Sequence, residues 1–217
     1  MMLFNGQLLA QPSFSPAADR NKQAILMQLQ HVLPAQGTAL EIASGTGQHI
    51  AWFAQALPGW SWTPSDAQAD GFATLTANTV GAGLRNVRAP RVLDVLSHGW
   101  QKGLSAEPGG ESFDMIYCAN MLHIAPWAAC AALMQGAAKR LTAGGQLVLY
   151  GPYFEDDVTP SGGNVAFDAS LRGHHPDWGI RRREDVEQAA RLSKLRLQTR
   201  VDMPSHNLLL VFGPAAA

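Results

Sequence analysis

The sequence predicts an α/β protein of one domain, built on a mostly parallel sheet with helices on both faces and an antiparallel hairpin at the C-terminus. Three observations carry this. Strand-like and helix-like stretches alternate five times between Thr38 and Tyr153. The strand-like runs, such as Thr38–Ala43 and Phe113–Asn120, are nearly unbroken in apolar character, as strands covered on two faces are. The last two runs, Leu195–Pro204 and Asn207–Gly213, have only Ser205 and His206 between them, a hairpin spacing. A chain of 217 residues can bury one large core, and no linker or repeat divides it.

Taken in order, residues 1–14 read as a loosely packed leading segment. Ser15 then caps a helix to Leu33, with Pro16 in the first turn and Ile25, Leu26, Leu29, Val32 and Leu33 as its apolar stripe. Thr38–Ala43 is the first strand and Gln48–Leu57 the helix after it. Trp60–Asp66 is the second strand, Ala67–Val80 a helix, and Asn86–Val95 contains the third strand, ending at Asp94. Pro108–Ser112 is a turn before the fourth strand, Phe113–Asn120. Pro126–Leu141 is helical, Thr142–Gly145 a turn, and Gln146–Tyr153 the fifth strand. The polar and glycine-rich stretch Phe154–Gly163 reads as a loop long enough to act as a lid. Helices over Phe167–Arg172 and Arg183–Leu192 precede the hairpin.

Composition narrows the function classes. The chain is 47% hydrophobic and 15% charged, a globular balance, with no apolar run of membrane-spanning length. The N-terminus lacks the basic and continuous apolar regions of a secretory signal, so a soluble, cytoplasmic protein is expected. A net charge of −1 gives little attraction for nucleic acid. The run Arg181–Arg183, followed by Glu184, Asp185 and Glu187, reads as a solvated helix start. Cys118 and Cys130 sit in apolar surroundings and read as free buried thiols. No Cys/His cluster has metal-ligand spacing, and no metal is expected; His174 and His175 are a loop pair.

The chemistry concentrates where the first strand meets its helix. The stretch Glu41–Gly47 ends an apolar run in small residues and two glycines, Gly45 and Gly47. Backbone N–H groups at such a helix start are unpaired and partly positive, and glycines let a ligand approach them. A tight turn without ligand is the alternative. Three acids favour the ligand: Glu41 inside an apolar strand, where a charge is costly, and Asp66 and Asp94 ending the next two strands. The dinucleotide fingerprint fails at Ile50, which stands where it needs Gly or Ala. That weakens a nicotinamide oxidoreductase, as does the lack of a Tyr-x-x-x-Lys pair.

Glu41–Gly47 instead follows the nucleotide-loop pattern of class I S-adenosylmethionine-dependent methyltransferases, acid-x-G-x-G-x-G, with Ala43 in place of the first glycine. Together with FSPAADRNKQAIL, LEIASGTGQH, WTPSD, LDV, FDMIYCANMLHIAPW, LTAGGQLVLYGPY, FDASLRGHHPDWGIR and MPSHNLLLVF, the chain resembles a class I methyltransferase-like family long labelled a domain of unknown function, which includes methyltransferase-like protein 26. The resemblance spans most of the chain. It implies a Rossmann-like, seven-stranded methyltransferase fold and an S-adenosylmethionine site, without a defined substrate.

By that resemblance Glu41, Ala43, Ser44, Gly45, Thr46 and Gly47 hold the methionine end of the cofactor. Asp66 takes the ribose hydroxyls, and Asp94 with the Val95 backbone meets the adenine amino group. Helix capping is the alternative for both aspartates. Arg20 and Asn21 lie in a segment that closes over the cofactor in related enzymes, with capping and surface ion pairs as the competing account. By the same resemblance Asn120 and His123, at the end of the fourth strand, are the polar residues placed to face the transferring methyl group, with Asn120 also a cofactor contact. His123 can act as general base or be a satisfied helix-start histidine. Tyr153, Asn164, Asp168, Arg172 and Trp178 are expected on the substrate side, and Tyr153 is a further catalytic candidate. Trp127 and Trp178 read as packing first and as substrate contacts second. The expected function is methyl transfer to a small molecule, with a protein acceptor as a further possibility. The alternative is an S-adenosylmethionine-binding protein without turnover.

Overall fold

The computed structural model describes residues 3–4, 7–8, 14–97, 100 and 111–215. The chain forms two compact units, Met1–Asp94 and Val95–Ala217. In the first, β1 (Leu3–Phe4) and β2 (Gln7–Leu8) pair as a small antiparallel ladder. The rest of the leading segment to residue 13 lies outside the described residues. Helix α1 (Pro16–Val32) starts as expected, with the Ala18 N–H donating to Ser15 Oγ at 3.3 Å, and it buries Ile25, Leu26 and Leu29.

Three parallel strands follow: β3 (Gly37–Ile42), β4 (Trp60–Asp66) and β5 (Arg91–Val92), with α2 (Gln48–Ala56) and α3 (Phe72–Gly81) between them. Glu41 pairs with Pro64, and Asp66 with Val92, so the carboxyl ends of the three strands lie side by side. Ala39, Leu40, Glu41 and Ile42 are all buried, as a two-face-covered strand requires. Trp60 and Trp62, two apart on β4, are core residues.

Two elements differ from expectation. Helix α3 begins at Phe72 rather than Ala67, because the Asp66 carboxylate accepts the Gln68 N–H at 3.2 Å and holds the chain in a local turn. The third strand shrinks to Arg91–Val92. Pro90, which has no N–H, precedes it, and the upstream pairing is a single bridge between Trp62 and Val87.

The second unit holds β6 (Phe113–Ala119), a 3-10 helix (Leu122–Ile124), α4 (Ala128–Arg140), β7 (Leu141–Phe154), α5 (Gly162–His174), β8 (Arg181–Arg182), α6 (Arg183–Leu192), β9 (Leu195–Met203) and β10 (Asn207–Pro214). The turn expected before β6 lies largely outside the described residues. Strands β6 and β7 are parallel, and β10 is antiparallel to both β7 and β9 and lies between them. Burial follows position: Leu208–Phe212 in β10 are all buried, whereas β9 alternates, as an edge strand does.

The expected turn at Thr142–Gly145 is absorbed into β7 through a register shift opposite Phe113–Met115. The expected loop to Gly163 is shorter, because Ser161 caps α5 by accepting the Asn164 N–H at 3.2 Å and starts the helix at Gly162. Its first residues are anchored rather than lid-like: Glu155 is ion-paired with Arg183 and Arg200, and Asp156 with Arg182. Cys118 and Cys130 are buried thiols that form no disulfide among the described residues. Among the described residues no helix is long and apolar enough to cross a membrane.

Helix α4 packs on Trp100 through Gly136, where a Cβ would overlap the indole ring. A Gly→Ala change inside a helix ordinarily stabilises by about 0.5–1 kcal/mol. Here overpacking reverses the sign, so Gly136→Ala should lower stability in urea unfolding by about 1–2 kcal/mol net.

Candidate functional site

After Ile42 the backbone of the first unit turns through three left-handed residues, Ala43 (φ 58°), Gly45 (φ 53°) and Gly47 (φ 77°). Ala43 stands where the loop pattern carries glycine, and its Cβ makes that conformation unfavourable by about 1–2 kcal/mol. Serine side chains hold the turn against β4. The Ser44 N–H donates to Ser65 O at 2.8 Å, the Ser65 N–H to Ser44 Oγ at 3.1 Å, and Ser65 Oγ to Glu41 O at 2.7 Å.

The two glycines have separate reasons. A Cβ on Gly47 would overlap Leu75 of α3, so internal packing alone demands glycine there. Among the described residues a Cβ on Gly45 would meet nothing within 4 Å, so this backbone borders open space there. Gly71 packs against the Gly45 carbonyl, and Asn78 Nδ2 donates to Thr46 O at 3.2 Å; the loop is thus buttressed by α3.

From the other side α1 clamps it. The Gln48 amide bonds both the N–H and the C=O of Ser15, and Thr46 Oγ1 donates to Gln48 Oε1 at 3.3 Å. His49 Nε2 lies 2.6 Å from Asn21 Oδ1. Burial pushes the His49 pKa down to about 4, against a hydrogen bond to the Ala18 backbone that raises it, so the ring is neutral and is held between Ala18 and Asn21. Asn21 is therefore spent on joining α1 to α2, while Arg20 is exposed. Sequence reading missed Gln48, His49 and Ser65. The one signal for the first two was a polar pair opening an otherwise apolar helix.

The acids follow from this frame. The Gly45 N–H donates to Asp66 Oδ2 at 2.9 Å, so the half-buried Asp66 is turned toward the glycine loop. Its Oδ1 accepts the Gln68 N–H, and an ionised carboxylate retains further acceptor sites beyond these two. Glu41 is 2% exposed. Burial pushes its pKa up to about 8, a Ser44 hydrogen bond opposes this, and the Asp66 charge adds to it. Its Oε2 is buried without a hydrogen-bond partner among the described residues. Asp94 is half-buried two residues past β5, next to the buried Val95.

In the second unit Asn120 follows β6 directly in a left-handed conformation (φ 56°), its N–H donating to Tyr150 O at 2.8 Å. Gly151 of β7 faces it: a Cβ there would lie 3.7 Å from Asn120 Oδ1 and 3.8 Å from His123 Nδ1. The His123 ring is buried, edge-on to Phe167 at 5.4 Å, with no hydrogen-bond partner for its nitrogens among the described residues. Burial and then the Arg181 charge push its pKa down to about 4, so it is a neutral imidazole. Tyr153 is buried, and burial raises its hydroxyl well above the usual value, with Cys118 and Cys130 adding to the shift.

The remaining substrate-side candidates are engaged within the protein. Asp168 pairs with Arg172 (2.8 Å) and accepts the Ile180 N–H (2.7 Å), and Gly179 packs over that pair. Asn164 Nδ2 donates to His206 O at 3.1 Å, and Trp178 stacks on His175. Arg181 is the largest departure from expectation. Rather than opening a solvated helix, it is half-buried and bonds Leu122 O (2.9 Å) and Ala125 O (2.5 Å), the two ends of the His123 turn.

Residues 12–213 match the family described as "Protein of unknown function (DUF938)". Among solved structures, CalO1, a methyltransferase in calicheamicin biosynthesis in its SAH-bound form, is 17% identical with a TM-score of 0.69, over 89% of this chain and 54% of that one. The mitomycin 7-O-methyltransferase MmcR is 16% identical (TM-score 0.72; 97% and 62%). An O-methyltransferase family protein from Burkholderia thailandensis is 14% identical (TM-score 0.71; 90% and 59%). The chain thus spans between about half and under two thirds of the length of these proteins, and it shares their Rossmann-like α/β fold: mostly parallel, with an antiparallel C-terminal hairpin.

The buried Glu41 has a stability consequence of definite sign. Its folded pKa of about 8 lies above the ordinary carboxyl value of 4.5, so between these the folded state holds a proton that the unfolded state has lost. Stability is therefore lost as pH rises through this window, by up to roughly 5 kcal/mol. Glu41→Gln should match the native protein near pH 4.5 and exceed it near pH 8, checked by urea unfolding across that range.

Proposed function

Because the chain belongs to the DUF938 family of proteins of unknown function, its activity has to be read from its own site, and we propose that it is an S-adenosylmethionine-dependent methyltransferase acting on a small molecule. The observation that carries this reading is a buried carboxyl with an orphan oxygen, Glu41 Oε2, at the base of a loop that borders open space at Gly45 and carries Asp66. An amino-acid ammonium offers the hydrogen bonds and the charge that this carboxyl lacks. The free acceptor sites of Asp66 suit a pair of vicinal hydroxyls. The fold shared with proteins named as methyltransferases supports the same ligand. Ile50, fully buried where a dinucleotide loop carries Gly or Ala, disfavours NAD(P).

In this reading Glu41, Ala43, Ser44, Gly45, Thr46 and Gly47 hold the amino-acid end, Asp66 the ribose, and Asp94 with the Val95 backbone the adenine. When bound, S-adenosylmethionine supplies an electrophilic methyl group. Arg20 and Asn21 act through α1, which the Asn21–His49 bond fixes to the loop's helix. Asn120 and neutral His123 orient the acceptor by hydrogen bonding, and His123 accepts a proton only weakly. The imidazolium it would form is disfavoured by burial and by Arg181. The near-neutral net charge favours a small molecule over nucleic acid as acceptor. Tyr153, Asn164, Asp168, Arg172 and Trp178 shape the acceptor side by packing more than by free polar atoms.

One observation favours a second reading, a cofactor-binding protein without turnover. The proton-transfer candidates are shifted away from neutrality in the unhelpful directions, His123 down and Tyr153 up. Methylation of a metabolite extract or of protein with labelled cofactor separates the two.

The binding step is tested first by calorimetry near pH 7. S-adenosylmethionine and S-adenosylhomocysteine should bind and NAD should not, with Asp66→Ala weakening both by roughly 10- to 100-fold. Measured in buffers of different ionisation enthalpy, binding should release up to one proton as Glu41 ionises against the ammonium, and Glu41→Gln should abolish the release. Absence of binding, or binding indifferent to Asp66→Ala, overturns the reading.

A further inference from the structure

A groove of about 680 Å³ in the second unit lies outside the residues assigned to methyl transfer, apart from Arg172 on its wall. Its lining comes from α4 and its start (Trp127, Gln135), from α6 (Gln188, Leu192) and from the segment carrying Arg181. The volume is that of a small-molecule site.

Charge in this groove is uncompensated at one point. Three guanidinium groups line it, Arg172, Arg181 and Arg182, against one carboxylate, Asp185. Arg172 is ion-paired with Asp168, and Arg182 with Asp156. Arg181 has no carboxylate in contact among the described residues; Asp168 and Asp177 act on it only through space. Its Nε and Nη2 are bonded to three backbone carbonyls, Leu122 O, Ala125 O and Asp177 O, which fix the guanidinium in place without neutralising it. Nη1 has no partner among the described residues, leaving two N–H donors on a fixed, half-buried cation.

Beside it stands an apolar wall. The Arg181 guanidinium carbon lies 5.8 Å from the centroid of the Trp127 ring, which is 41% exposed. Leu192 is 83% exposed, and Ala131, Ile180 and Ala189 complete the apolar lining. Exposed aromatic and aliphatic surface in a concave site next to an immobilised cation calls for a ligand with the matching division. We propose that this groove binds a small organic anion with a flat apolar body, its carboxylate or phosphate on Arg181 and its ring against Trp127. The site stands independently of the methyltransferase reading.

The probes are 2-naphthoate and 2-naphthyl phosphate, with neutral 2-naphthalenemethanol as control, titrated by ligand-observed NMR and calorimetry on the full chain. At least one anion should bind about tenfold tighter than the neutral control, and the tighter of the two identifies the oxyanion. Arg181→Gln should erase that preference. Since Arg181 also ties down three carbonyls, two surface variants keep the test independent of folding. Trp127→Ala should weaken the anions about tenfold, and Leu192→Glu should weaken the anions several-fold more than it weakens the neutral control. Equal binding of charged and neutral probes, no binding at millimolar probe, or anion binding unmoved by both surface variants overturns the proposal.

Discussion

A buried carboxyl group is the constraint on which the first unit turns. Glu41 is next to last in β3, just before the glycine loop, 2% exposed, its charge disfavoured by burial and by Asp66. Holding an acid there is unfavourable, so the surrounding structure has to be rigid enough to keep the chain from relaxing around it. Rigidity comes from the serines that bind the loop to β4, from α3 beneath Gly45 and Gly47, and from α1 through the Gln48 and His49 bonds. The left-handed strain at Ala43 belongs to the same arrangement: the turn is imposed by its neighbours and not chosen by its own residue.

Rigidity of this kind prepares a ligand site. The loop presents backbone and Asp66 oxygens in a geometry already held by other bonds, so a ligand has little to reorganise. The division of labour between the glycines shows it well. Gly47 is required by its packing against Leu75, whereas Gly45 leaves space that no described residue of this unit fills. Glycine pairs in such loops thus serve two ends, and a structure is required to tell which glycine serves which.

In the second unit Arg181 organises what β6 and β7 alone would leave loose. It joins the two ends of the His123 turn to the segment that follows α5 and depresses the basicity of His123. The Asp168–Arg172 pair under Gly179 fixes the same segment from the helix side. Polar residues that look like a substrate wall in one dimension are in three dimensions a bracing network. Its free surface is the groove beside Trp127.

Much of the fold was legible in the sequence. Continuous apolar runs marked β3 and β6 as covered strands, the Ser205–His206 spacing marked β9 and β10 as a hairpin, and Ser15 and Pro16 marked the start of α1, because these depend on local periodicity, turn length and capping. The loop, Glu41 and Asp66 were legible as a cluster for the same reason: strand ends and glycines announce themselves within a few residues. By itself the sequence determined the α/β class, the position of the loop and the acids that border it. Only the tertiary structure decided that Asn21 is bound to His49, that Gln48 clamps Ser15, that α3 starts late behind Asp66, and that Arg181 turns inward under the His123 turn. Those outcomes depend on partners from two to almost sixty residues away. Hydrogen-bond satisfaction of buried groups is a property of the packed chain, and no local pattern encodes it.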